Sequence, residues 1–365
     1  MFQPHPRLTA LGSGFLLLLT MSAVSSCSSQ NAGPAQATTT GAPGTASPSA
    51  AETASPTPTP TRTPAGTPVA ANLCGPGTVL SFDRGAFQAS PKVDNKWFPL
   101  TPGMQYTTAG TVVSAEGTTK RVVTHTVTGL TKVIDGVKTQ VLWDRDYADG
   151  ELVESELAFF AQTDTGDVWL FGEYPEEFEN GKFVGAPNTF LSGLSGAQAG
   201  IAMQGKPRVG TPSYVQAHAP AVKFLDCGAV VRENQRVCVP SGCYKDVLII
   251  DERNPLEPEV GHQRKFYSAG TGLVKVTAVG GDNQETLDLV KAQQLTDAQL
   301  QDINHQALAL DKHAYQGNPR DYAKTAPAEV ATQTAGSPEA ASGSPSPGTG
   351  SASPGTGSPA PTTSG

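Results

Sequence analysis

Across residues 73–325 the apolar positions recur at every second residue, the period of a strand that buries one face. Arg121-Val-Val-Thr-His-Thr-Val-Thr alternates in this way and is followed by Asp135-Gly136 before the next alternating run, 137–147. Asp149-Gly150 then leads into 151–161, Asp164-Thr-Gly166 into 167–174, and Asn180-Gly181 into a shorter segment. Two-residue Asp-Gly and Asn-Gly turns match the twist of adjacent antiparallel strands, and glycine accepts the positive φ they impose. A meander of hairpins follows. Residues 190–212 are Gly-rich and without period, which reads as a long loop or crossover and a candidate flap. Strands are predicted again over 213–218, 222–231, 236–239, 243–252, 260–268, 273–279 and 286–291. Helical spacing enters only at the end: Thr296-Asp-Ala-Gln299 is a capping box, and Leu300, Ile303, Ala307, Leu310 and Ala314 form one apolar stripe. The expected fold is mainly β: a large curved antiparallel sheet or partly open barrel built from hairpins, with one C-terminal amphipathic helix and disordered tails.

Composition divides the chain. Proline, serine, threonine and glycine are concentrated in two blocks, about residues 27–72 and 326–365, and the Ser-Pro-Thr-Pro-Thr-Pro alternation of the first cannot bury a core. These blocks are expected to be a disordered spacer and a disordered tail on either side of a single β-rich domain, 73–325. Ahead of the spacer, His5 and Arg7 open a short polar start and residues 8–24 are mostly apolar around Phe15-Leu-Leu-Leu-Leu19, the pattern of an export signal, residues 1–26. The run is marginal in length for a transmembrane span. It ends at Val24-Ser25-Ser26-Cys27, which resembles the lipobox of bacterial lipoproteins. That resemblance implies lipidation of Cys27 and a lipid anchor to the outer face of the bacterial cell membrane, or to the outer membrane in a two-membrane envelope. Two acyl chains suffice for stable anchoring.

The other cysteines, Cys74, Cys227, Cys238 and Cys243, are an even set in an exported chain, where disulfides persist. Three pairings are possible. Cys238-Val-Pro-Ser-Gly-Cys243 places two strand residues across a short Pro-Gly loop, which favours that bridge and leaves Cys74 with Cys227. A zinc site is not expected, since no Cys-x-x-Cys or His-x-x-x-His spacing accompanies them. With 25 basic and 33 acidic residues the formal charge is −8, which gives no electrostatic footprint for nucleic acid.

Asn95-Lys-Trp-Phe-Pro-Leu-Thr-Pro-Gly, Trp143-Asp-Arg-Asp-Tyr-Ala-Asp-Gly-Glu-Leu-Val-Glu, Gly166-Asp-Val-Trp-Leu-Phe-Gly-Glu and Phe266-Tyr-Ser-Ala-Gly-Thr-Gly-Leu-Val-Lys together resemble a widespread group of exported bacterial β-rich proteins that carries no established activity. The resemblance covers most of residues 97–279. Its motifs look like hairpin and edge devices, and it implies no catalytic residue.

Candidate chemistry is sparse. Asp144, Asp146, Asp149, Glu151, Glu154 and Glu156 form an acidic hairpin, but its spacing runs one residue too long for an EF-hand and Ser155 stands where a bidentate Glu is required. It reads as a solvated face, as do Asp164 and Asp167. His125, His218, His262, His305 and His313 lie on separate elements without ligand spacing. Gly193-Leu-Ser195-Gly-Ala197 lacks the second glycine of a nucleophile elbow. No metal, cofactor or catalytic residue is therefore assigned. Trp143 with Tyr147, Trp169 with Phe171, and Trp97 are the candidate ligand-binding residues, lining a groove or cavity for a small apolar or glycan-like ligand. The reading is a membrane-anchored surface lipoprotein with a noncatalytic β domain that binds such a ligand or an envelope component. An exported hydrolase and a structural envelope protein are the alternatives. A deep apolar cavity favours binding, and a cleft gathering a histidine with two carboxylates favours hydrolysis.

Overall fold

The computed structural model describes residues 72–76 and 81–331. The export signal, Cys27, the spacer as far as residue 71 and the tail beyond residue 331 lie outside the described residues.

The hairpin pattern closes on itself as a 12-stranded antiparallel barrel with further short strands. Its strands are β1 Met104–Ser114, β2 Gly117–Ile134, β3 Val137–Ala148, β4 Glu151–Gln162, β5 Val168–Glu179, β6 Gln198–Met203, β7 Tyr214–Ala219, β8 Phe224–Val239, β9 Gly242–Arg253, β10 His262–Ser268, β11 Gly272–Val279 and β12 Gln284–Gln294. Each pairs with the next in sequence, and β12 returns to β1, with Leu287 opposite Gly110. Closure removes the unpaired edges that an open sheet of this size would expose. The turns behave as their sequences require: Asp135 and Gly136 sit at φ 50° and 77°, and Asp149 and Gly150 at 49° and 94°, so both central residues take the left-handed conformation of a type I′ hairpin.

The stretch 190–212 departs from the expected loop. It contains a short strand, Phe190–Leu191, that pairs with β5, and then β6, which joins β5 to β7 and so completes the barrel. Gly200 lies within β6, where an added Cβ would come within 2.5 Å of the Val215 carbonyl oxygen. Packing, which a period cannot report, makes this segment a strand.

Both faces of the wall are buried over most of β3–β5 and the first half of β8. Outside, Leu130, Val141, Trp143, Leu157, Phe159, Trp169 and Phe171 form a core with the helix α1, Asp297–Gly317, which contributes Ile303, Ala307 and Ala314. The helix begins at the expected capping box, with Thr296 and Gln299 capping one another reciprocally. It docks where β2 is irregular. The pairing of β2 with β3 shifts between Val127 and Thr131, Asn304 of the helix accepts from the Gly129 amide at 2.7 Å, and Gln140 donates to the freed carbonyls of Thr128 and Leu130. Buried Lys132 then reaches Asp311 of the helix at 2.9 Å, and Tyr322 donates to the same carboxylate at 2.6 Å. Asp311 also accepts from the Ala328 amide, and Glu329–Val330 pairs with β2.

Two disulfides fix the periphery. Cys74–Cys227 ties the N-terminal segment to β8, and Cys238–Cys243 spans the β8–β9 turn, the pairing expected from the short loop. Over β11, β12 and β1 the outward residues are mixed, with Lys275 paired to Asp288 at 2.6 Å and Thr286 exposed beside exposed Val113 and Val290.

Candidate functional site in the barrel interior

The inward-facing residues are set by register. Across β2, β3 and β4, Val127, Leu142 and Ala158 lie opposite one another in one row. His125, Asp144 and Glu156 form the next, and Val123, Asp146 and Glu154 the one beyond. The interior therefore changes character along its axis. One end is apolar and is plugged by the hairpin formed by Val93–Asp94 and Pro99–Leu100, from which Phe98 packs on Phe160 with ring centroids 5.2 Å apart. Asn95 holds this plug. Its side-chain oxygen accepts from the Trp97 and Phe98 amides, and its side-chain nitrogen donates to the Gly166 and Gln204 carbonyls. The Asn95-Lys-Trp-Phe-Pro-Leu motif thus serves as the stopper of the barrel.

Beyond the plug lies a cavity of about 120 Å³, lined at one end by Phe98, Leu100, Leu142, Phe160 and Leu170, and at the other by His125, Asp144, Glu156, Glu173, Asp226, Glu252 and Lys265. This acidic end contradicts the reading of the 144–156 hairpin as a solvated face. Asp144, Asp146, Glu154 and Glu156 are all buried inside the barrel, and only Asp149 and Glu151, at the turn, face water. Alternation groups these carboxyls with Leu142, Ala158 and Phe160, but Trp143, Leu157 and Phe159 on the other parity are equally apolar. Parity alone does not say which side is the lumen.

Burial and crowding shape the electrostatics. Asp144 stands directly opposite Glu156, and Asp146 directly opposite Glu154, an arrangement that is destabilising when both partners are ionised. Burial pushes the carboxyls of Glu154, Glu156, Glu173 and Asp226 well above the usual range, reinforced by neighbouring acids: Glu156 for Glu154, Glu173 for Glu156, Glu154 for Glu173 and Glu252 for Asp226. Asp146 is pushed up to about 7, burial outweighing the pull of Arg121, to which it is ion-paired. The cations are held by specific acids. Burial works against charge on Lys265, yet Glu252, with an oxygen 2.5 Å from Nζ, and Asp226 more than reverse it and raise the ammonium. Burial likewise opposes the imidazolium of His125, and Asp144, 2.9 Å from Nδ1, overcomes it and raises the pKa. Among the described residues no three His, Cys, Asp or Glu side chains converge on a point that would hold a metal ion.

The sequence-derived aromatic residues stand apart from this cavity. Trp143, Trp169 and Phe171 belong to the outer core: Trp143 donates to Ser155 at 2.9 Å under the Arg145 guanidinium, and Trp169 and Phe171 pack on Phe82 and Phe87 of the N-terminal segment. Tyr147 is half-buried on the same outward row as Trp143, and Trp97 lies on the plug beneath Lys96. None of the five is among the residues lining the cavity. Of the histidines among the described residues, the cavity takes only His125. His262 pairs with Asp251 at 2.7 Å and His313 with Glu176 at 2.5 Å, both outside it. Ser195 donates to Asp321 at 2.6 Å and has no histidine beside it among its bonds.

No family model and no curated protein matches the chain. Two solved structures are similar to it. One, described as an exported protein with a YmcC-like fold from Bacteroides fragilis, is 13% identical, covering 55% of this chain and 99% of its own, with a TM-score of 0.33. The other, described as a lipoprotein from Parabacteroides distasonis, is 15% identical, covering 56% of this chain and 100% of its own, with a TM-score of 0.27. Neither likeness is close enough to inform the site, whose reading rests on the barrel's own residues.

Proposed function

We propose that this chain is an exported lipoprotein, anchored through Cys27, whose barrel binds a small molecule with an apolar body in its interior. The observation that carries the reading is the cavity: about 120 Å³ bounded by Phe98, Leu142 and Phe160 at one end and by buried polar groups at the other. Engineered apolar cavities of about 150 Å³ take up benzene, so this space of about 120 Å³ suits an apolar body of at most about that size. Two disulfides support an oxidising compartment, and the Val24-Ser25-Ser26-Cys27 motif supports the anchor. Replacing Cys27 by Ala is expected to release the protein from the membrane fraction, and retention there refutes the anchor. For the ligand, ligand-observed NMR with benzyl alcohol is expected to show saturable binding that Leu142→Trp, which fills the apolar end, abolishes. Undiminished binding to a folded Leu142→Trp variant refutes the assignment of the site.

One observation favours a hydrolytic reading instead. His125, oriented by Asp144, lies in the same cross-strand row as Glu156, so an imidazole and a carboxyl of raised pKa share the cavity as a base and an acid. Turnover of small esters or amides that His125→Ala eliminates would establish it, and absence of turnover across such a series favours binding alone.

A further inference from the structure

Resting on the cavity-binding reading, we infer that the ligand is a small organic cation, an apolar body bearing an ammonium head that sits between Glu156 and Glu173. The inventory of donors and acceptors leads there. Glu156 and Glu173 are 4% and 8% exposed, and both line the cavity. Gln216 lines the same end; its amide nitrogen donates to Glu252 at 2.9 Å while its buried side-chain oxygen has no partner. The cations lining the cavity are engaged elsewhere, Lys265 with Glu252 and His125 with Asp144. At this end the Gln216 side-chain oxygen is a buried acceptor without a donor, which is costly, and the ionised carboxyls of Glu156 and Glu173 beside it would accept only. A neutral alcohol meets that need without compensating charge, and a carboxylate ligand adds to the repulsion.

The apolar end completes the specification. A bare metal ion would leave Phe98, Leu142 and Phe160 facing empty space, and no three acidic or histidine side chains are placed to coordinate one among the described residues. An ammonium on a benzene-sized body engages both ends at once: three N–H donors meet the carboxyls and the ring replaces void with contact. Burial and the facing acids, Asp144, Asp146, Glu154 and Asp226, push the Glu156 and Glu173 carboxyls up, with Lys265 opposing them. A bound cation pulls these carboxyls back down, so release of protons to solvent is expected as the ammonium enters.

The test compares benzylammonium, benzyl alcohol and benzoate, three probes of one ring size, by titration calorimetry on the purified full chain. Benzylammonium is expected to bind at least about tenfold more tightly than benzyl alcohol, the margin of a charge-assisted hydrogen bond, with benzoate weakest. Titrations in two buffers of different ionisation enthalpy should show proton release with benzylammonium and none with benzyl alcohol. Glu156→Gln with Glu173→Gln should abolish the preference while leaving benzyl alcohol binding in place. The proton count on the unmodified protein decides the matter if that double variant does not fold. Benzyl alcohol binding as tightly as benzylammonium, or benzoate binding best, overturns the cationic head and leaves the cavity reading standing. Binding of none of the three overturns both.

Discussion

Raising the pH from 5 to 8 should destabilise this protein, and the interior of the barrel sets the size of the effect. In the unfolded chain the carboxyls ionise near pH 4. Folded, Glu154, Glu156, Glu173 and Asp226 hold their protons well above that, and Asp146 holds its proton up to about 7. Between the two values the folded state binds more protons than the unfolded one, so stability is fully present below the unfolded pKa and is lost as pH rises through the folded one. His125, also raised, acts in the same sense above its own unfolded value. Each such proton contributes a slope of about −1.4 kcal/mol per pH unit, so Asp146 alone, moving from 3.8 to about 7, amounts to about 4 kcal/mol over its window. One proton is the lower bound, because the facing acids titrate together and do not all add independently. The assay is urea denaturation at pH 5, 6, 7 and 8 at constant ionic strength, where a loss of at least about 1.4 kcal/mol per unit is expected between pH 5 and 7. Glu154→Gln and Glu156→Gln keep the shape but remove the titration, so each should flatten the slope. Stability that is constant or rising over this range, or a slope indifferent to both substitutions, would refute the reasoning.

Three further outcomes follow from the fold. Asp311→Ala leaves buried Lys132 without its carboxylate and frees Tyr322 and the Ala328 amide, so a loss of about 3–5 kcal/mol is expected in chemical denaturation. Gly110→Ala would set a Cβ 1.8 Å from the Thr286 carbonyl oxygen at the seam where β12 meets β1; the seam must part, and a drop of about 2–4 °C in Tm per kcal/mol lost is expected for a domain of this size. On the chain-entropy model, removing Cys74–Cys227, with its separation of 153 residues, costs about 5 kcal/mol, and removing Cys238–Cys243, with a separation of 5, about 2, so denaturation of the two Cys→Ser pairs should rank them in that order. Alkylation of the denatured, unreduced protein should label none of these four cysteines.

What alternation and turn chemistry carry locally was legible from the chain. Asp135-Gly136 and Asp149-Gly150 specify their hairpins because glycine tolerates the positive φ that the strand twist demands, and Thr296 with Gln299 starts the helix because reciprocal capping needs only four consecutive residues. The pairing of Cys238 with Cys243 was equally local, being fixed by a short loop. Closure was not local. Residues 198–203 have no period of their own and become a strand because β5 and β7 present unpaired edges on either side. The side of the wall on which each row of side chains falls was also a tertiary decision. In β3 and β4 both parities are apolar, one covered by the helix α1 and the N-terminal segment, the other enclosed by the barrel, so Trp143, Trp169 and Phe171 went to the outer core and Asp144, Asp146, Glu154 and Glu156 to the lumen. A period of two assigns residues to a common face, and only closure of the sheet determines which face is inside.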